Sequence, residues 1–72
     1  MSSGRPVKRS LTLRQHRTSV SLEDAFWKEF KAIAERMGKT INGLAAEIDE
    51  ARSDVGLASA IRVFVLEDLQ SR

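Results

Sequence analysis

Along residues 16–22 polar and apolar side chains alternate, so that in an extended strand Arg17, Ser19 and Ser21 fall on one side and Thr18, Val20 and Leu22 on the other. The first side is small, hydrogen-bonding and cationic; the second can seal a core. An earlier run, Ser10 to Arg14, also alternates, but its apolar residues Leu11 and Leu13 are odd-numbered whereas Val20 and Leu22 are even. The two runs cannot share one face of an unbroken strand. Either a bulge or turn lies between Arg14 and His16, or the first run docks elsewhere. Residues 1–7 hold Gly4 and the one proline, Pro6, with little to bury. Residues 1–15 are therefore expected to form a flexible basic arm, and residues 16–72 the folded domain.

Beyond Leu22 the period changes from two to three and four. Phe26, Phe30, Ile33, Ala34 and Met37, widened by Trp27, predict a helix from about Glu23 to Met37. Glu23 and Asp24 suit the positive end of its dipole, Ser21 to Asp24 has capping-box spacing, and Gly38 is placed to end it in the left-handed conformation. Thr40 is a good N-cap for a second helix that runs to Ala51 or Arg52, with Ile41, Leu44, Ala45 and Ile48 on one face. A third, from Leu57 to Gln70, carries Val63, Phe64, Val65 and Leu66 in succession and is apolar nearly all round. Such a helix is expected to be covered on more than one side. In a chain of 72 residues that points to a partner chain.

Cysteine is absent and histidine occurs once, which excludes disulfides and an N/S metal cage built from one chain. No metal and no cofactor is expected. Glu47, Asp49, Glu50 and Asp54 lack the loop glycine and ligand spacing of a calcium motif and read as a solvated helix end. His16 offers no metal constellation alone. No apolar stretch reaches the roughly 18 residues of a membrane span, and no secretory hydrophobic region is present, so a soluble, cytoplasmic protein is expected. A phosphate-binding glycine loop and a plausible acid–base pair are also missing, which argues against an enzyme.

The net charge of +2 is unevenly spread. Residues 1–22 hold Arg5, Lys8, Arg9, Arg14 and Arg17 with no acid, whereas residues 23–72 hold seven Lys/Arg against ten Asp/Glu. This asymmetry favours nucleic acid or an acidic surface as partner of the N-terminal region. On the arm, Arg5, Lys8, Arg9 and Arg14 are expected to steer towards phosphate without reading sequence.

A strand, an aromatic-rich helix, Gly38-Lys39-Thr40-Ile41-Asn42 and a second helix together resemble the ribbon-helix-helix (Arc/MetJ-like) family. The stretch His-Arg-Thr-Ser-Val-Ser-Leu-Glu-Asp-Ala-Phe-Trp from His16, with Ser59 to Leu66 downstream, is similar to a bacterial subfamily with an additional C-terminal helix. The resemblance implies a mainly α fold: one short strand pairing with its twin in an intermolecular antiparallel ribbon, then helices interlocked in an intertwined homodimer. It implies double-stranded DNA as partner and transcriptional regulation, commonly repression, as role. Counted back from Gly38, it places Arg17, Ser19 and Ser21 against base edges in the major groove. It assigns the DNA backbone to Lys39, Thr40, Ile41 and Asn42 at the start of the second helix, with Arg14 as a further phosphate contact. Val20, Leu22, Phe26 and Phe30 become the dimer core. The two serines reach fewer base atoms than longer polar side chains would, which lowers the specificity expected of the ribbon. The rival reading is a protein-interaction module, such as an antitoxin that binds a partner protein through its third helix.

Overall fold

The computed structural model describes residues 4–72. Five elements follow one another: β1 (Val7–Leu13), β2 (His16–Leu22), α1 (Asp24–Arg36), α2 (Ile41–Ala51) and α3 (Leu57–Gln70). β1 and β2 form an antiparallel hairpin whose register runs from Val7 opposite Leu22 to Leu13 opposite His16. The two residues between them, Arg14 (φ 50) and Gln15 (φ 73), both take the left-handed conformation that a type I′ turn demands. This turn resolves the parity conflict between the two alternating runs. Odd residues of β1 face even residues of β2, so Leu11, Leu13, Val20 and Leu22 point together into the core.

The hairpin corrects two expectations. Residues 7–13 are a strand of the fold and not part of an arm, because Leu11 and Leu13 have apolar surface to bury and the backbone of β2 has hydrogen-bonding groups to satisfy. β2 is accordingly paired within its own chain, where a twin's strand was expected. Of the expected arm, residues 1–3 lie outside the described residues.

α1 ends in a Schellman arrangement: Lys39 N–H donates to the Ala34 carbonyl (2.9 Å) and Gly38 N–H to that of Glu35 (3.0 Å), with Gly38 at φ 69. Its start departs from expectation. Glu23 is the N-cap without a side-chain cap bond, so Ser21 and Asp24 form no capping box; Asp24 is instead gripped by Arg9. α2 begins at Thr40 as expected, with Thr40 Oγ1 accepting from Gly43 N–H at 2.9 Å. A Cβ on residue 43 would lie 2.9 Å from that oxygen, so glycine there makes room for the cap.

Leu22, Phe30, Ile33, Leu44, Ile61 and Val65 are the largest fully buried side chains, and they come from β2 and all three helices. Phe64 meets Phe30 edge-on with centroids 6.5 Å apart. α3 packs through Ile61 and Val65 and leaves Val63, Leu66 and Leu69 exposed, so within one chain it is covered on one side. Arg62 of α3 locks the junction between ribbon and helices. It donates to the Ser21 carbonyl (3.0 Å) and the Glu23 carboxylate (3.1 Å) and lies over the Phe26 ring.

Candidate nucleic-acid interface

Because the pleat sends alternate side chains to opposite faces, the face of the hairpin turned from the core carries Lys8, Ser10 and Thr12 from β1 with Arg17, Ser19 and Ser21 from β2. All six are exposed. Lys8 stands opposite Ser21, Ser10 opposite Ser19, and Thr12 opposite Arg17. The face is thus two cations and four hydroxyls with no carboxylate.

Most of the other cations are taken up by acids, although Lys28 and Lys31 of α1 also have no ion-pair partner among the described residues. Arg9 pairs with Asp24, Arg14 with Glu50, Arg36 with Asp68, Lys39 with Glu47, Arg52 with Asp49, Arg62 with Glu23, and Arg72 with Glu29 and Asp68. Neither Lys8 nor Arg17 has an ion-pair partner among the described residues. Their charge is directed to solvent on one face of the hairpin.

Beside the ribbon lies the start of α2. Thr40 satisfies the amide of Gly43 and the first intrahelical bond runs from Leu44 N–H to the Thr40 carbonyl, so the amides of Ile41 and Asn42 have no intrahelical acceptor. Asn42 Oδ1 accepts from the backbone N–H of Thr12 at 3.0 Å, which ties this helix end to the β1 edge of the ribbon. Two of the cations expected to help here are engaged. Lys39 Nζ holds both oxygens of Glu47 at 2.7 Å, and Arg14 is paired with Glu50 at the hairpin turn. The acids that clustered in the sequence therefore act as partners of basic residues: Glu47, Asp49 and Glu50 each hold one, and Asp54 accepts from Ser53.

Among the expected site residues, the structure brings Arg17, Ser19 and Ser21 onto one exposed face and sets Thr40, Ile41 and Asn42 at its β1 side. Val20, Leu22 and Phe30 are buried within the single chain, and Phe26 is partly buried under Arg62. Sequence reasoning missed Lys8, Ser10 and Thr12. The opposed parity of Leu11 and Val20 was the available signal, because a tight turn between the runs puts both polar sets on one face. It also placed Arg9 on the arm, whereas Arg9 points inward, on the core side of β1.

No helix among the described residues is long and apolar enough to cross a membrane. Neither the curated proteins nor the solved structures contribute a match. A family model for the ribbon-helix-helix domain matches residues 6–69, taking in β1 and nearly all of α3. Domains of that family are in general DNA-binding regulators that dimerise, not enzymes. With the match spanning almost the whole chain, and a ribbon followed by helices in the structure, this protein belongs to the ribbon-helix-helix domain family.

Proposed function

We propose that this protein binds double-stranded DNA sequence-specifically by seating its ribbon in the major groove, and that it regulates transcription by doing so. The observation that carries the reading is the outer ribbon face, where Arg17 and Lys8 lack carboxylate partners among the described residues and are separated by short hydroxyl side chains. A two-stranded ribbon fits the groove, an arginine can bond a guanine edge through two parallel hydrogen bonds, and serine hydroxyls can either donate or accept. Arg17, Ser19 and Ser21 read bases in this account. The amides of Ile41 and Asn42 take a phosphate at the positive end of α2, with Thr40 shaping the turn. Lys39 and Arg14 join them once phosphate displaces Glu47 and Glu50.

Selection of bound fragments from a random duplex pool at defined salt tests the reading. Arg17→Ala is expected to cost about 1–3 kcal/mol on the preferred site and relax preference at the contacted position. An unchanged ranking of sequences, with the fold intact, overturns the base-reading role.

A second reading rests on α3, whose outward face exposes Val63, Leu66 and Leu69. That face favours a protein partner: a twin in the homodimer, or a different protein in an antitoxin-like role. Sedimentation of the purified chain separates them, since a twin covers the face without any added protein.

A further inference from the structure

The hairpin register exposes an internal repeat. Lys8-Arg9-Ser10-Leu11-Thr12-Leu13 and Arg17-Thr18-Ser19-Val20-Ser21-Leu22 have the same order of cation, variable residue, serine, aliphatic residue, hydroxyl residue and leucine, nine positions apart. An antiparallel pair has a local two-fold axis between facing residues, and here the axis through the Ser10–Ser19 pair superposes the two segments. Rotation about it exchanges Lys8 with Arg17 and Thr12 with Ser21 on the outer face, and Leu11 with Val20 and Leu13 with Leu22 on the inner one. The outer face of one chain therefore has the near-symmetry that would otherwise take two identical strands. Only position 9 against 18 breaks the chemistry, and it does so on the inner face, where Arg9 is used to grip Asp24.

We propose that β1 takes the place of a second copy's strand, so that a single chain carries a complete six-residue reading face for a short, nearly two-fold DNA site. The proposal rests on the DNA-binding reading and specifies its geometry. Lys8 addresses one half of the site and Arg17 the other, with Ser10 and Ser19 at its centre. Four residues of strand span about 13 Å, or roughly four base-pair steps. Both halves favour guanine at the equivalent position, since Lys and Arg each donate to its O6 and N7. The Arg17 half is the more stringent, because a planar guanidinium forms two fixed bonds where an ammonium is a mobile point charge.

The test is site selection from a random duplex pool with the wild type, Lys8→Ala, Lys8→Arg and Arg17→Ala, each checked by circular dichroism for an unchanged fold. All three variants alter exposed side chains. Lys8→Ala is expected to relax one half of the site, with a roughly 5- to 150-fold loss on its preferred base, and Arg17→Ala the opposite half. Lys8→Arg is expected to sharpen its half until the two match. If Arg17→Ala relaxes both halves together while Lys8→Ala leaves the selected site unchanged, two chains supply the reading strands; the inference then fails and DNA binding stands. If the wild type selects no sequence at all, the inference and the DNA-binding reading fall together.

Discussion

Arg9 lays its guanidinium over the Trp27 indole, 5.4 Å from the ring centroid, while pairing with the Asp24 carboxylate at the start of α1. Its side chain is only 17 % exposed, and its Nε is buried without a hydrogen-bond partner among the described residues. A residue so placed fastens β1 to the first helix and has little charge left for a distant phosphate. Arg9→Ala is expected to destabilise the fold by about 1–2 kcal/mol through lost stacking and stem packing. The denaturant midpoint should fall while the salt dependence of DNA binding keeps its slope. A flatter slope with an unchanged midpoint would return Arg9 to the phosphate-steering role.

The turn stores strain that a single substitution can release. Gln15 sits at φ 73, a conformation that costs a non-glycine residue about 1–3 kcal/mol. Gln15→Gly removes that strain but adds unfolded-state entropy, for a net stabilisation of about 1 kcal/mol. In a domain of this size a thermal midpoint raised by about 4–8 °C is the expected reading.

That same turn explains what the sequence could and could not show. The helices were legible because Phe26, Phe30 and Ile33 repeat at helical spacing, and because Thr40 and Gly38 are residues whose chemistry marks helix ends. The hairpin was half-legible: the parity clash between Leu11 and Val20 required a break, but Arg14-Gln15 lacks the Asn-Gly or Asp-Gly signature of a type I′ turn. Without that signature, β2 reads as a strand whose partner is a second chain. α3 was ambiguous for another reason. Its run from Val63 to Leu66 has no period, so only packing decides that Val65 is buried and Val63 exposed. The long-range ion pairs were not legible, since Arg14 and Glu50 or Arg36 and Asp68 meet only through the tertiary fold, whereas Asp49 and Arg52 or Asp68 and Arg72 lie only three and four residues apart.

Asp68 gives the fold an acid-sensitive tie. Hydrogen bonds from Arg36 and then Arg72 hold its carboxyl below the usual carboxylate range, and Glu23 is lowered likewise by a main-chain hydrogen bond and by Arg62. A carboxyl more acidic in the folded than the unfolded state contributes stability that is fully present above its unfolded pKa. That contribution is lost as the pH falls through the folded value. The wild type should therefore lose stability on acidification below about pH 4, and Asp68→Asn should be less stable at pH 7 yet show a shallower acid limb. Urea midpoints measured between pH 7 and pH 2 check this; parallel curves for the two proteins would show that the tie is not linked to folding.

Lys39 and Glu47 supply the last prediction, because the pair stands beside the two α2 amides assigned to phosphate. Lys39 Nζ bonds both Glu47 oxygens at 2.7 Å, and the Glu47 side chain is 53 % exposed, so an incoming phosphate must compete with an acid that is itself open to solvent. Glu47→Gln removes the competitor and its negative charge without deleting the cation. Duplex DNA is then expected to bind several-fold more tightly at low salt, and the slope of log affinity against log salt should steepen by up to about one as Lys39 releases a further counterion. The gain should be uniform across sequences, because a phosphate contact positions the protein without reading bases. Lys39→Ala in the Glu47→Gln background should cancel the added slope. An affinity unchanged in Glu47→Gln, with the helical signal intact, would place the DNA backbone away from α2 and leave the ribbon as the whole of the contact.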